Sequence, residues 1–114
     1  MNFVFSMFNE IYELDFTTNT SHAIKSEFTL AQHSEVINLE DNYNSWADRF
    51  VVEEDRRKFK RFVSKEHVKD LHGDISVCKY SIRNRNNKIE RIRAILIPNG
   101  EGKYLCCCEM VPLE

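Results

Sequence analysis

Near the C-terminal end, residues 75–83 (ISVCKYSIR) and 89–97 (IERIRAILI) form two strand-like runs joined by residues 84–88 (NRNNK). Ile, Val and Tyr suit a pleated, half-buried surface, and adjacent asparagines tolerate left-handed backbone and hydrogen-bond locally, so the pattern predicts a long antiparallel hairpin. A third run, residues 103–111 (KYLCCCEMV), follows the turn formers of 98–102 and extends the hairpin to a three-stranded meander. Near the start, residues 11–16 (IYELDF) alternate imperfectly, 17–21 supply turn formers, and 22–28 can return as a second strand.

Between the strand groups the period changes. From about Glu35 onward, Leu39, Tyr43, Trp46 and Phe50 step by four, three and four residues, which places them on one helical stripe. Carboxylates at Glu53, Glu54 and Asp55 then suit the positive end of a second helix, whose apolar face is Phe59, Phe62 and Val63. Ser64 can cap a further turn carrying Val68 and Leu71, which Gly73 ends. Two strands, a helical middle and three strands predict an α+β fold. Its five-stranded antiparallel sheet carries the helices of about 35–71 on one face, because a half-apolar sheet needs a packing layer. The i,i+4 pair Trp46 and Phe50 is expected to be buried against that sheet.

Residues 75–97 resemble the C-terminal half of a PAS domain, in which a tyrosine-arginine-isoleucine-arginine strand (here Tyr80, Ser81, Ile82, Arg83), a short polar turn and an arginine-rich return (Arg91, Ile92, Arg93) recur. Residues 9–20 (NEIYELDFTTNT) resemble the opening strand and turn of bacterial sensory PAS domains, and 45–59 resemble the segment that usually reads His-Pro-Glu-Asp before a helix. Val52 and Glu53 stand here in place of the histidine and proline, and Arg91 stands where tryptophan is common. The resemblance covers about Asn9 to Met110. It implies a PAS-like five-stranded sheet with helices on one face, enclosing a cavity that can hold a small molecule. It also implies a regulated effector, such as a diguanylate cyclase or histidine kinase, that is not in this chain. The expected organisation is therefore a dimerisation or linker segment at 1–8, a PAS-like sensor domain at 9–112, and a possible cloning scar at 113–114.

Length and composition agree with one core, since 114 residues leave little room for two. With 42% hydrophobic and 30% charged residues the chain has globular composition, and its net charge of −2 gives no general attraction to nucleic acid. The basic run Arg49, Arg56, Arg57, Lys58, Lys60 and Arg61 reads as a solvated helix face. The apolar start lacks a basic flank and meets Glu10 and Glu13 too soon for a signal or spanning helix, so no membrane contact and a cytoplasmic location are expected. Cys106, Cys107 and Cys108 match no disulfide framework. On a strand the first and third share a face, and without histidines at ligand spacing they read as small buried hydrophobes, with no metal site expected.

The candidate ligand pocket is aromatic: Trp46, Phe50, Phe59, Phe62 and Tyr80, with core packing as the competing role for the same rings. The cofactor is left unknown. A thiol-adding flavin site needs a cysteine on a helix, whereas Cys78 and the triplet lie on strand runs, and haem needs an inward histidine, for which His67 and His72 are only approximately placed. No catalytic residue is expected, since Asp15, Glu53, Glu54 and Asp55 sit where turns and caps explain them. The predicted partner is a second copy. Phe3, Val4, Phe5, Met7 and Phe8 offer more large apolar side chains than a free terminus needs, and neither side of the 89–97 strand is wholly polar. Two alternatives remain: a ligand-free dimerisation module, or a small cone-shaped α+β enzyme with Asp or His at its mouth.

Overall fold

Side chains that alternate in burial along β4 (Ser76–Arg83) and β5 (Ile89–Pro98), with β6 (Lys103–Val111) beside them burying Cys106, Cys107 and Cys108 in succession, build the expected meander in the computed structural model, which describes residues 7–26 and 35–113. β1 (Glu10–Asp15) and β2 (Thr20–Ser26) form the N-terminal hairpin. β1 lies beside β6, pairing Glu10 with Cys108, Tyr12 with Cys106 and Leu14 with Tyr104, so the first and last strands close the centre of the sheet. The Asn9 amide donates to the Cys108 carbonyl (2.9 Å), and the Met110 amide donates to Asn9 Oδ1 (2.9 Å), continuing the seam.

These five strands are antiparallel, as predicted, and a short edge strand joins them. β3 (Glu35–Ile37) pairs with β2, giving the order β3-β2-β1-β6-β5-β4. The sequence reading begins the helical stretch at about Glu35; the helix instead starts at Leu39. Val36 and Ile37 are β-branched and favour extended backbone, and Asn38 then takes a left-handed conformation (φ 58°) that separates strand from helix. The Leu39 amide donates to the Asn19 carbonyl (2.9 Å), fixing this corner to the β1–β2 turn.

Local side-chain chemistry sets the turns. Asp15 Oδ1 accepts the amides of Thr17 (2.9 Å) and Thr18 (3.1 Å), and these bonds, with that of Thr18 foremost, hold the carboxyl below its usual range. Asn84 Oδ1 does the same for Asn86 and Lys88, while Asn87 supplies the left-handed residue of the β4–β5 turn (φ 62°). Gly102 is required where the β5–β6 turn passes the β1–β2 turn: its φ is +71°, and a Cβ there would lie 2.3 Å from Thr17 Oγ1.

α1 (Leu39–Phe50), α2 (Glu53–Phe62) and α3 (Lys65–Leu71) pack on one face of the sheet. Ser64 caps α3 as expected, accepting the His67 amide (3.2 Å), and His72 and Gly73 end it with positive φ. The α1–α2 junction covers the exposed edge of β4. Val51 bridges to Ile82, the Val52 amide donates to the Ser81 carbonyl (3.0 Å), and the Ser81 amide donates to Asp55 Oδ2 (2.8 Å). An edge satisfied in this way offers no free ladder to another chain at that point.

The main core lies between sheet and helices, with Leu14, Ile82, Ile92 and Leu96 below and Leu39, Phe59 and Phe62 above. Trp46 and Phe50 join it only as half-buried rings, not as the buried pair expected from their spacing. The small Ala47 is fully buried on α1, and the large rings beside it turn toward α2 and β4. A second, thinner cluster lies on the outer face, where Phe8 packs with Ile11, Cys107, Ile95, Ile97 and Leu105. Of the expected N-terminal dimerising residues, Phe3, Val4 and Phe5 lie outside the described residues; Met7 is exposed and Phe8 folds onto its own sheet.

Candidate functional site

Four of the five expected pocket residues meet at one end of the space between sheet and helices. The Trp46 ring lies 5.7 Å from Phe50, 5.4 Å from Phe59 and 6.5 Å from Tyr80, and Phe59 and Tyr80 are 4.7 Å apart, edge to face. Helical spacing brings the first two together on α1, and α2 and β4 supply the others. Phe62 is buried in the same core but makes its ring contact with His67 (6.0 Å), away from that group.

Beside the aromatic group is a polar one that sequence reasoning missed. The inward positions of β1 and β6 alternate as Glu10, Tyr12, Leu14 and Tyr104, Cys106, Cys108, and their register sets Glu10 beside Cys108 and Tyr12 beside Cys106. Glu10 is 6% exposed, and its Oε1 accepts the Tyr12 hydroxyl. The Cys106 and Cys108 sulfurs are 3.8 Å apart. Tyr43 of α1 lies close enough to Ser21 of β2, and Tyr80 to the Cys108 thiol, for each pair to influence the other's acidity, which links the polar group to the aromatic one.

Burial governs the acidity of these groups, since removing a charged form from water disfavours it. It pushes the Tyr12 hydroxyl far above its ordinary range, with the Glu10 charge adding to the shift. Tyr43 and Tyr80 are raised by burial and then by the neighbouring cysteines. The hydrogen bond from Cys106 and then burial raise Cys108, and burial pushes Cys78 and Cys107 up to about 11. Thiols so raised are protonated at neutral pH and are poor nucleophiles. What the arrangement offers is a set of neutral hydroxyls and thiols with one buried carboxyl, able to exchange internal hydrogen bonds for bonds to a small polar molecule.

The remaining candidates take structural places. Cys78 and the triplet lie on strands, with Cys106 and Cys108 inward and Cys107 outward as the alternation predicted. His67 bonds through Nε2 to Ser76 Oγ (2.9 Å), and His72 is exposed at the end of α3. Asp55 serves as more than a favourable charge at a helix start, because it accepts the Ser81 amide and faces Arg91 Nη1 at 3.5 Å. Among the described residues no cluster of three His, Cys, Asp or Glu side chains is placed to hold a metal ion, and no helix is long and apolar enough to cross a membrane.

No protein-family model and no curated protein matches the chain. Its structure is similar to a sensory box histidine kinase/response regulator from Burkholderia thailandensis E264, with a TM-score of 0.53 and 11% sequence identity over 90% of this chain and 76% of that one. At that identity the likeness is one of fold. Taken with the antiparallel sheet, the helices on one face and the hairpin of β4 and β5, it shows that this chain has a PAS-like α+β fold.

Proposed function

We propose that this chain is a sensory domain of PAS type, which takes up a small molecule between its sheet and helices and regulates an effector outside the chain. The observation that carries this reading is the buried group of Glu10, Tyr12, Tyr43, Ser21, Cys106 and Cys108 beside an aromatic cluster. A core built only for stability has little use for a carboxyl under its helices, because an apolar residue there carries no desolvation cost. Trp46, Phe59 and Tyr80 would hold the apolar part of the molecule, and the polar group its hydrogen-bonding part. In this reading the domain is not an enzyme and its location is the cytoplasm. The likeness to a sensory box histidine kinase makes a kinase one candidate effector class; a diguanylate cyclase is the other. Native mass spectrometry of freshly purified protein, with an absorption spectrum, tests it. A retained mass that is lost in a Glu10→Gln, Tyr12→Phe variant supports it. Chain mass alone, in protein purified gently from its own host, overturns it.

A second reading is favoured by the outer face of the sheet. Ile95, Ile97 and Leu105 are only partly covered there, and Val77 and Met7 are 55% and 60% exposed. Such a surface suits a second copy of the chain, and a dimer without ligand is then the whole of its function.

A further inference from the structure

Four arginines distant in sequence converge on one hollow. It has a volume of about 610 Å³ and opens where the α1–α2 junction meets the edge of β4. Arg49 comes from the last turn of α1 and Arg56 from α2; Arg83 and Arg91 come from the β4–β5 hairpin, where Arg91 pairs with Ser81 and Arg83 with Ile89. Phe50 and Ile89 add apolar surface to the same hollow. Sequence alone gave Arg49 and Arg56 to a solvated helix face, and the hairpin brings the other two guanidinium groups to them.

The arginines differ in what they already bind. Arg91 is committed, through Nη1, to Ser81 Oγ (3.1 Å) and Asp55 Oδ2 (3.5 Å). Arg56 donates Nε to the Val51 carbonyl (2.9 Å), which fixes its stem and leaves its two terminal nitrogens for another acceptor. Arg83 uses Nη1 on the Asn87 carbonyl (3.2 Å) and Oδ1 (3.3 Å), and the Arg49 guanidinium lies 5.0 Å from the Phe50 ring centre. Among the described residues, Arg49, Arg56 and Arg83 form no ion pair. Asp55 is occupied by the Ser81 amide, Arg91 and Lys58 (3.6 Å), and the exposed Glu53 and Glu54 in the first turn of α2 pair with none of the four. Glu53, Glu54 and Asp55 line the same hollow, yet none of them pairs with Arg49, Arg56 or Arg83, so a bound oxyanion can accept the forked N–H groups of these three.

We propose that this hollow binds a small molecule carrying a phosphate or carboxylate on an apolar body. Arg49, Arg56 and Arg83 hold the oxyanion, and Phe50 with Ile89 covers the apolar part. The volume lies within the roughly 300–1,000 Å³ of small-molecule sites. The position lies at the edge of β4, apart from the polar group under the helices, so this inference does not rest on the sensory reading. A ligand here would join α1, α2 and the hairpin across the Val52–Ser81 contact.

Trp46 is the chain's one tryptophan and packs on Phe50, which lines the hollow, so its fluorescence reports the hollow through that ring. The experiment titrates the intact chain with phenyl phosphate and with inorganic phosphate, at ionic strength held constant with sodium chloride. The expected result is a saturable change, with phenyl phosphate the tighter ligand. The double variant Arg49→Gln, Arg83→Gln should weaken it about tenfold with an unchanged unfolding midpoint, since both side chains are exposed and neither belongs to the Asp55–Arg91 tie. Amide chemical shifts of Val52, Ser81 and Ile89 should move together in the unsubstituted protein, which keeps the placement testable if the variant folds poorly. No saturable response to either anion overturns the proposal, and so does binding that the double variant retains in full. Equal affinity for the two anions overturns the apolar part. A response confined to an acidic peptide makes the hollow a protein-docking surface and overturns the small-molecule reading.

Discussion

Cys106, Cys107 and Cys108 are one residue type on one strand, yet the first and third meet a different molecule from the second. Inward, the strand faces a layer of three helices, and its thiols lie beside Tyr12, Tyr80 and a buried carboxyl. Outward, Cys107 meets Ile11 and Phe8, under a cover that is one side chain thick and leaves Ile95, Ile97 and Leu105 partly open. The inner face is both closed and polar in places; the outer face sets an apolar patch beside the Arg93–Glu109 ion pair and is only partly covered. Packing inside holds the fold, and polar groups placed among it cost stability that only a ligand or a hydrogen-bond partner offsets.

This difference between the faces is broken most directly by truncating neighbours on β5. Leu96 is fully buried inward and Ile97 is half-covered outward. Leu96→Ala should cost about 2–5 kcal/mol, while Ile97→Ala should cost less than about 1 kcal/mol because less apolar surface leaves the protein interior. Urea unfolding of both variants checks this, and equal losses would mean that the outer face is as closed as the inner one.

A pH series sharpens the contrast next. The hydroxyls of Tyr12, Tyr43 and Tyr80 are held above their ordinary value of 10.0, so the unfolded chain loses these protons first as pH rises. Their contribution to stability is complete below about pH 10 and falls as pH rises above it. Cys78 and Cys107, raised from 9.0 to about 11, begin the same loss about one unit earlier. The urea midpoint should therefore drop steeply between about pH 9 and pH 11, and Tyr12→Phe should flatten the curve. A constant midpoint over that interval would mean that water reaches these groups in the folded protein.

On the dimer reading proposed above, charging the outer face changes assembly rather than fold. Val77→Glu with Ile97→Glu places charges on the surface offered to a second copy, and light scattering at tens of micromolar should show the intact chain as a dimer and the variant as a monomer. If both run as monomers, Phe8 and its neighbours form the whole cover of that face.

The two faces were unequally legible in the sequence. Period and turn residues foretold the five main strands and the caps at Ser64 and Gly73, because each follows from spacing within one element or from strand order. β3 was missed because three residues carry no period, and its existence depends on pairing with β2. Glu10 was missed for a related reason: a lone carboxylate at the start of a strand reads as solvent-facing, and only the register with Cys108 and the reach of Tyr12 bury it. The convergence of Arg83 and Arg91 on Arg49 and Arg56 was invisible because residues distant in sequence meet only through the hairpin's docking on α2. Trp46 and Phe50 show the limit of a correct period, which gave the right stripe but not which residue of it faces inward.

The smallest expected effect lies in the first turn of α3, at His67. Burial, and then the charge of Arg61, lower the His67 pKa from its ordinary 6.5, against a weaker opposing pull from Asp70. Its ring accepts or donates one hydrogen bond, to Ser76 Oγ. Because the folded protein prefers the neutral ring, the unfolded chain binds the proton first as pH falls. The stability this group contributes is therefore complete above about pH 6.5 and is lost as pH falls from there through the folded value. Since the imidazole is largely solvated, the loss should be a shallow fall in thermal midpoint, removed in His67→Gln, which keeps a polar side chain near Ser76. A fall of the same size in that variant would assign the acid sensitivity to the carboxylates instead, Asp15 with its two backbone hydrogen bonds foremost among them.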